Sequence, residues 1–145
     1  MNRARALVAA LCEAELGTGT DAHNFVMAAQ ELLENLAKYA APGHASFRFE
    51  LSAQNGRRRA RLATRNEASA EPLAVASGLL GRITESRDPV ALYDALVAES
   101  GESGRSRLGL IRIRAEGDLE LEYAVRGSSL EIVVSGDVHS KRHSA

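Results

Sequence analysis

The stretch SFRFELSAQNGRRRARLATR, residues 46 to 65, decides the architecture. Phe47, Phe49 and Leu51 alternate with Arg48, Glu50 and Ser52, the two-residue period of a strand with one apolar and one polar face. Asn55-Gly56 supplies two residues that tolerate positive φ, which a tight hairpin turn requires. The return segment, Arg57 to Arg65, alternates again, with Ala60, Leu62 and Thr64 on one face and Arg57, Arg59, Arg61 and Arg65 on the other. A second hairpin follows near the end: Leu119, Leu121, Tyr123 and Val125 against Glu120, Glu122 and Arg126, a turn at Gly127-Ser128, then Leu130, Ile132 and Val134. Strands that are apolar on one face need helices there and leave the other face to water or a partner. The expected fold class is α+β: a two-layer α/β sandwich with a mixed, mainly antiparallel sheet and its helices on one face.

The helices are read from a change of period. Residues 3 to 16 place Leu7, Val8, Leu11 and Leu16 near helical spacing before Gly17-Thr18-Gly19-Thr20 interrupts. From Ala22 to Ala41, with Asp21 as the expected cap, Phe25, Ala29, Leu32, Leu36 and Tyr39 fill a broad apolar arc, with Glu31, Glu34, Asn35 and Lys38 opposite. Pro42-Gly43 ends that helix. Two more helices are expected over Glu71 to Ser86 and over Pro89 to Glu99, the latter capped by Asp88 with Pro89 at its first position. After the Gly/Ser loop from Gly101 to Gly104, the segment Leu108 to Ala115 fits strand or helix, and its place after a glycine loop favours helix.

The 145-residue length fits one domain, over residues 1 to 137, followed by a tail from 138 to 145. Hydrophobic residues make up 45% and charged residues 26%, a globular composition rather than a disordered one. The net charge of −1 argues against a dedicated nucleic-acid binder, which needs an excess of Lys and Arg for phosphate. The arginines from 57 to 65 read as a face neutralised by Glu50, Glu120 and Glu122 rather than as a basic groove. A lone Cys12, with no disulfide partner or activating neighbour, points to a reducing, cytoplasmic setting. No apolar run approaches the ~20 residues of a membrane span, and Glu13 and Glu15 break any signal-peptide core. His23, His44, His139 and His143 have no metal-ligand spacing.

Two segments carry chemistry. In QELLENLAKYA, residues 30 to 40, Glu31, Asn35 and Lys38 fall on one line of the helix. Such a line can bring an amide oxygen to Mg²⁺ and a carboxylate, one turn earlier, to a hydroxyl that must lose its proton. A solvated helix face with an ordinary Glu34–Lys38 pair would read the same way. The second segment, GESGRSRLGLIRI, combines glycines, hydroxyls, Arg105, Arg107 and a helix start, the ingredients of a phosphate cradle and equally of a flexible connector.

With these motifs in this order across roughly residues 20 to 135, the chain resembles the Bergerat-fold (GHKL) ATPases. Within them it is similar to the anti-sigma-factor and SiaB-like serine kinases of bacterial partner switching. ELLENLAKYA resembles the N-box, which implies Glu31 as general base and Asn35 as magnesium ligand, with Lys38 beside them. RSRLGLIRI resembles the second glycine box, which implies that Arg105, Ser106, Arg107, Leu108 and Gly109 steady the phosphates of ATP. Asn66 stands where the family carries the Asp that receives the adenine amino group, and its amide oxygen can accept the same bond. Ala68 and Ala70 replace the glycines after that Asp, and Arg107 replaces a glycine of the second box. The resemblance implies a regulatory domain that binds ATP with Mg²⁺ and phosphorylates a STAS-type anti-sigma antagonist on serine. It further implies homodimerisation through the N-terminal helix or the open sheet face. The missing glycines leave a second expectation, a nucleotide-free interaction module of the same fold. A nucleophile elbow is absent from the sequence, and a nucleic-acid role for the arginine strand is the least supported reading.

Overall fold

The computed structural model describes residues 6, 7, 9–11, 13, 14, 20–39, 45–100, 105–116 and 119–138. Among the described residues between 6 and 14 the chain is helical, and Cys12 lies outside them. The elements that follow are α1 (Thr20–Tyr39), β1 (Ala45–Gln54), β2 (Arg57–Glu67), α2 (Ala70–Glu85), α3 (Pro89–Ser100), α4 (Arg105–Ala115), β3 (Glu120–Arg126) and β4 (Ser129–Val138). The fold is α+β, with one four-stranded sheet in the order β1-β2-β4-β3.

Every pairing in that sheet is antiparallel, so the mixed character expected from the sequence is not found among the described residues. The reason lies in the connections. Two short hairpins join β1 to β2 and β3 to β4, and the helices between them return the chain so that β4 enters beside β2 in the opposite sense. Asn55 (φ 55°) and Gly56 (φ 78°) form the first turn with the positive φ that their side chains permit, and Gly127 (φ 60°) opens the second. Register follows the alternation: Phe49 stands opposite Leu62, Leu62 opposite Val134, and Val134 opposite Leu121, all on the inner face.

The helices cover this inner face. α1 lies on β2 and β4, α2 and α4 on β3, and α3 packs on α4. Phe25, Leu32, Leu62, Leu80, Ile83, Ile111, Ile113, Ile132 and Val134 are fully buried at the contact. Each of the larger side chains stabilises the fold by roughly 1.5–3 kcal/mol relative to exposure. Gly136 leaves room for its neighbours: a Cβ there would stand 2.6 Å from Leu119 Cδ2, so that the Leu119 side chain would have to shift. One helix start is capped locally and one helix end from a neighbouring helix. Asp88 Oδ1 accepts from Ala91 N at 3.1 Å, as its position before Pro89 predicts, and Arg114 of α4 donates to the carbonyls of Ile83 (2.5 Å) and Ser86 (2.9 Å) at the end of α2.

Boundaries shift modestly. α1 starts at Thr20, so Asp21 lies within its first turn rather than at the cap, and α2 starts at Ala70. β4 continues through Val138, which is buried, so residue 138 belongs to the sheet and not to the tail expected there, and residues 139–145 lie outside the described part. Val125, expected inward, is 42% exposed near the end of β3.

Candidate functional site

α1 and α4 pack against each other, and their contact brings together the two segments singled out above. Glu31 and Asn35 do not lie on a solvated face. The Glu31 side chain is 15% exposed and reaches Arg112 Nη1 of α4 at 3.3 Å, and Asn35 is buried at 8%. Gly109, one turn before Arg112, admits the carboxylate: a Cβ there would collide with Glu31 Oε2 and stand 2.9 Å from its Cδ. Helical spacing explains both halves of the contact, since Glu31 and Asn35 share a face of α1 as Gly109 and Arg112 share a face of α4.

Arg112 is a residue that sequence reasoning missed. It also donates to Glu116, its i+4 neighbour. Its guanidinium is held above the ordinary arginine range, first by the hydrogen bond to Glu116, against the cost of burial, and further by the charges of Glu116 and Glu31 and by Tyr93. The i+3 spacing from Gly109 was the available signal, but only tertiary contact says which helix face meets Glu31.

The expected phosphate loop is helical instead. α4 begins at Arg105, so Arg105, Ser106, Arg107 and Leu108 form its first turn and Gly109 lies inside it, buried. The side chains of Arg105, Ser106, Arg107, Leu108 and Lys38 lie outside the described part. The Gly/Ser part of the expected loop, residues 101 to 104, lies outside the described part, and from Arg105 onward any cradle is offered by the N–H groups of a helix start. The physical reason for the helix is composition: Leu110, Ile111 and Ile113 form an apolar run that gains by burial.

Asn66 sits on the inner face of β2, 2% exposed, beside Thr64 at 1%. Asn66 Nδ2 donates to Glu67 O at 3.3 Å, whereas Asn66 Oδ1 and Thr64 Oγ1 have no hydrogen-bond partner among the described residues. Asn35 Nδ2 is buried without a partner as well. Buried polar atoms are nearly always satisfied, because each orphan costs roughly 1–3 kcal/mol. Residues i and i+2 of a strand face the same way, ~7 Å apart, so Thr64 and Asn66 present their orphan atoms to one region. Ala45, where β1 starts, pairs with Asn66, and five residues separate it from the end of α1 at Tyr39. That short connection brings the C-terminal half of α1, with Asn35, to the same end of the sheet. Ala68, next along, is buried and donates its N–H to Ser128 O at 2.9 Å.

Among the described residues no group of three or more His, Cys, Asp or Glu could hold a metal ion. His23 is exposed, and His44, His139 and His143 lie outside the described part. No helix among the described residues is long and apolar enough to cross a membrane. No protein-family model matches the chain, and no curated protein matches it.

Proposed function

We propose that this chain is a cytoplasmic regulatory domain that binds a purine nucleotide, ATP with Mg²⁺, at the end of the sheet that holds Asn66 and Thr64 and toward which the C-terminal half of α1, with Asn35, runs. One observation carries the reading: an amide oxygen and a hydroxyl on the inner face of β2, both buried, both without a partner. An adenine amino group supplies the donor that Asn66 Oδ1 lacks, and a ring nitrogen supplies an acceptor for Thr64. Both atoms are covered, so a base has to displace what covers them, and its apparent affinity falls by the fraction of molecules already open.

Asn35 would hold Mg²⁺ through its side-chain oxygen, and a single protein oxygen supplemented by phosphate oxygens and water is ordinary for that ion. When bound, the ion would neutralise phosphate charge. Glu31 is the base of the proposed reaction, taking the proton of a serine hydroxyl of the partner, a STAS-type protein, as that oxygen receives the phosphoryl group. Arg112 opposes this role as long as it holds Glu31, because the ion pair turns the carboxylate to the guanidinium instead of to a hydroxyl. Phosphotransfer therefore requires the Glu31–Arg112 pair to open.

The occupied notch at Gly109 and the helical start of α4 favour a second reading, a nucleotide-free interaction module. Calorimetric titration with MgATP separates the two. The first predicts saturable binding that Asn66→Leu abolishes and that Asn35→Ala makes independent of Mg²⁺. Silence at millimolar nucleotide, with the protein folded, leaves the second. Glu31→Gln then distinguishes kinase from sensor, since a kinase keeps binding and loses phosphotransfer.

A further inference from the structure

We propose that the free edge of β1 pairs with the β1 of a second copy, antiparallel and centred on Phe49, to form a symmetric dimer with one continuous sheet. The inference is independent of the nucleotide reading and rests on a pattern in ASFRFELSA, residues 45 to 53. Read outward from Phe49, the strand matches itself in apolar and small positions and is opposite in charge at one pair. Arg48 mirrors Glu50, Phe47 mirrors Leu51, Ser46 mirrors Ser52 and Ala45 mirrors Ala53. When two copies meet across a twofold axis at Phe49, each Arg48 lies directly opposite the partner's Glu50, and each Phe47 opposite the partner's Leu51. A twofold interface needs that self-complementarity.

The structure presents the strand correctly for this pairing. β1 is the end strand of the sheet. Gln54 and Arg57 close the two-residue turn, which makes them a hydrogen-bonded pair. Even-numbered residues of β1 therefore turn their main-chain groups to β2, and Ala45, Phe47, Phe49, Leu51 and Ala53 turn theirs to the open edge. Phe49 would exchange both of its main-chain bonds with its own copy. Arg48 and Glu50 stand on the outer face with side chains 73% and 48% exposed, where Glu50 meets Arg48 and Arg61 of its own chain at 3.5 Å and stays open enough to exchange Arg48 for the partner's. On the inner face Phe47, Phe49 and Leu51 are only half-buried, whereas Thr64, Leu62 and Ala60 opposite them on β2 are at 1%, 0% and 0%. The apolar stripe of β1 thus extends past the helical cover, and a twofold partner would place its own stripe against it. Opposite charges at mirrored positions also select one register, where a plain apolar edge would slip or aggregate.

The other edge is a poorer candidate. α2 and α4 lie on β3, and Leu121 is already buried at 6%.

Sedimentation analysis of the full chain tests the proposal. The wild type is expected to be a dimer. Arg48→Glu sets two carboxylates against each other at both mirrored positions, and Glu50→Arg sets two guanidinium groups there, so each variant alone should weaken the dimer about tenfold or more. An equimolar mixture of the two variants restores opposite charges at both positions and should associate again. Hydrogen exchange on the wild type gives an independent readout, with the amides of Phe47, Phe49 and Leu51 protected although they do not face β2. A monomeric wild type, a dimer indifferent to both substitutions, a mixture that stays apart, or fast exchange at those three amides would each overturn the proposal.

Discussion

On the outer face of β2, Arg59 engages Glu120, Asp137 and Ser135, Arg61 engages Glu50, and Arg65 donates to Ser129. On the inner face of the same strand, Thr64 Oγ1 and Asn66 Oδ1 engage nothing, although water cannot reach them. The outer residues carry full charges and need little from the fold, since solvent would satisfy them anyway. The inner residues carry only dipoles and yet cost more, because an unmet hydrogen bond has no solvent to fall back on. Polar residues therefore mark a functional region by their lack of partners under cover, not by their number or charge. The conspicuous arginine ladder is surface chemistry; the inconspicuous threonine and asparagine behind it are where a ligand would matter.

Substitutions on the two sides of the sheet sharpen this contrast. The largest effect belongs to Ile132→Ala, which empties a fully buried position between β2 and β3 and should cost about 2–5 kcal/mol in urea unfolding. Gly109→Val comes next. Its side chain must displace the Glu31 carboxylate and the Glu31–Arg112 pair, at about 1–3 kcal/mol by the same measurement, and the loss should shrink when Glu31 is shortened to Ala. Thr64→Val has the opposite sign. Replacing an unpartnered hydroxyl by a methyl of similar size should stabilise the fold by about 1 kcal/mol and weaken nucleotide binding. A loss of stability there would mean that the hydroxyl serves the fold, and the contrast between the faces would collapse. Arg59→Ala is the mildest, costing at most about 1 kcal/mol because its pairs are exposed, with the difference shrinking further in salt.

Much of the fold could be read before any coordinates, for identifiable reasons. Both hairpins announced themselves through period-two alternation and turn residues with positive φ, and α3 through Asp88-Pro89. The segment at Leu108 was open between strand and helix, because short apolar runs satisfy both periods. Its neighbours resolve it: Leu110, Ile111 and Ile113 are buried where α4 meets α1, α2 and α3. For the candidate site, Glu31, Asn35, Asn66 and Gly109 could be proposed from the sequence, whereas Arg112 and the orphan state of Thr64 could not. Partnership is a property of contacts between elements distant in the chain, and local spacing does not encode it.

By itself the sequence determined the strands, their inward faces, the turns and the balance of charge on the outer face, since each depends on a residue and its near neighbours. It also fixed the mirrored pattern of β1, which is a property of nine consecutive residues. Only the tertiary structure decided that the described strands pair antiparallel throughout, that Glu31 meets Gly109 and Arg112, and that Thr64 Oγ1 and Asn66 Oδ1 of β2 are sealed from water with no partner among the described residues. Those outcomes turn on which surfaces meet, and burial, the quantity that sets their energy, exists only once the chain has closed around them.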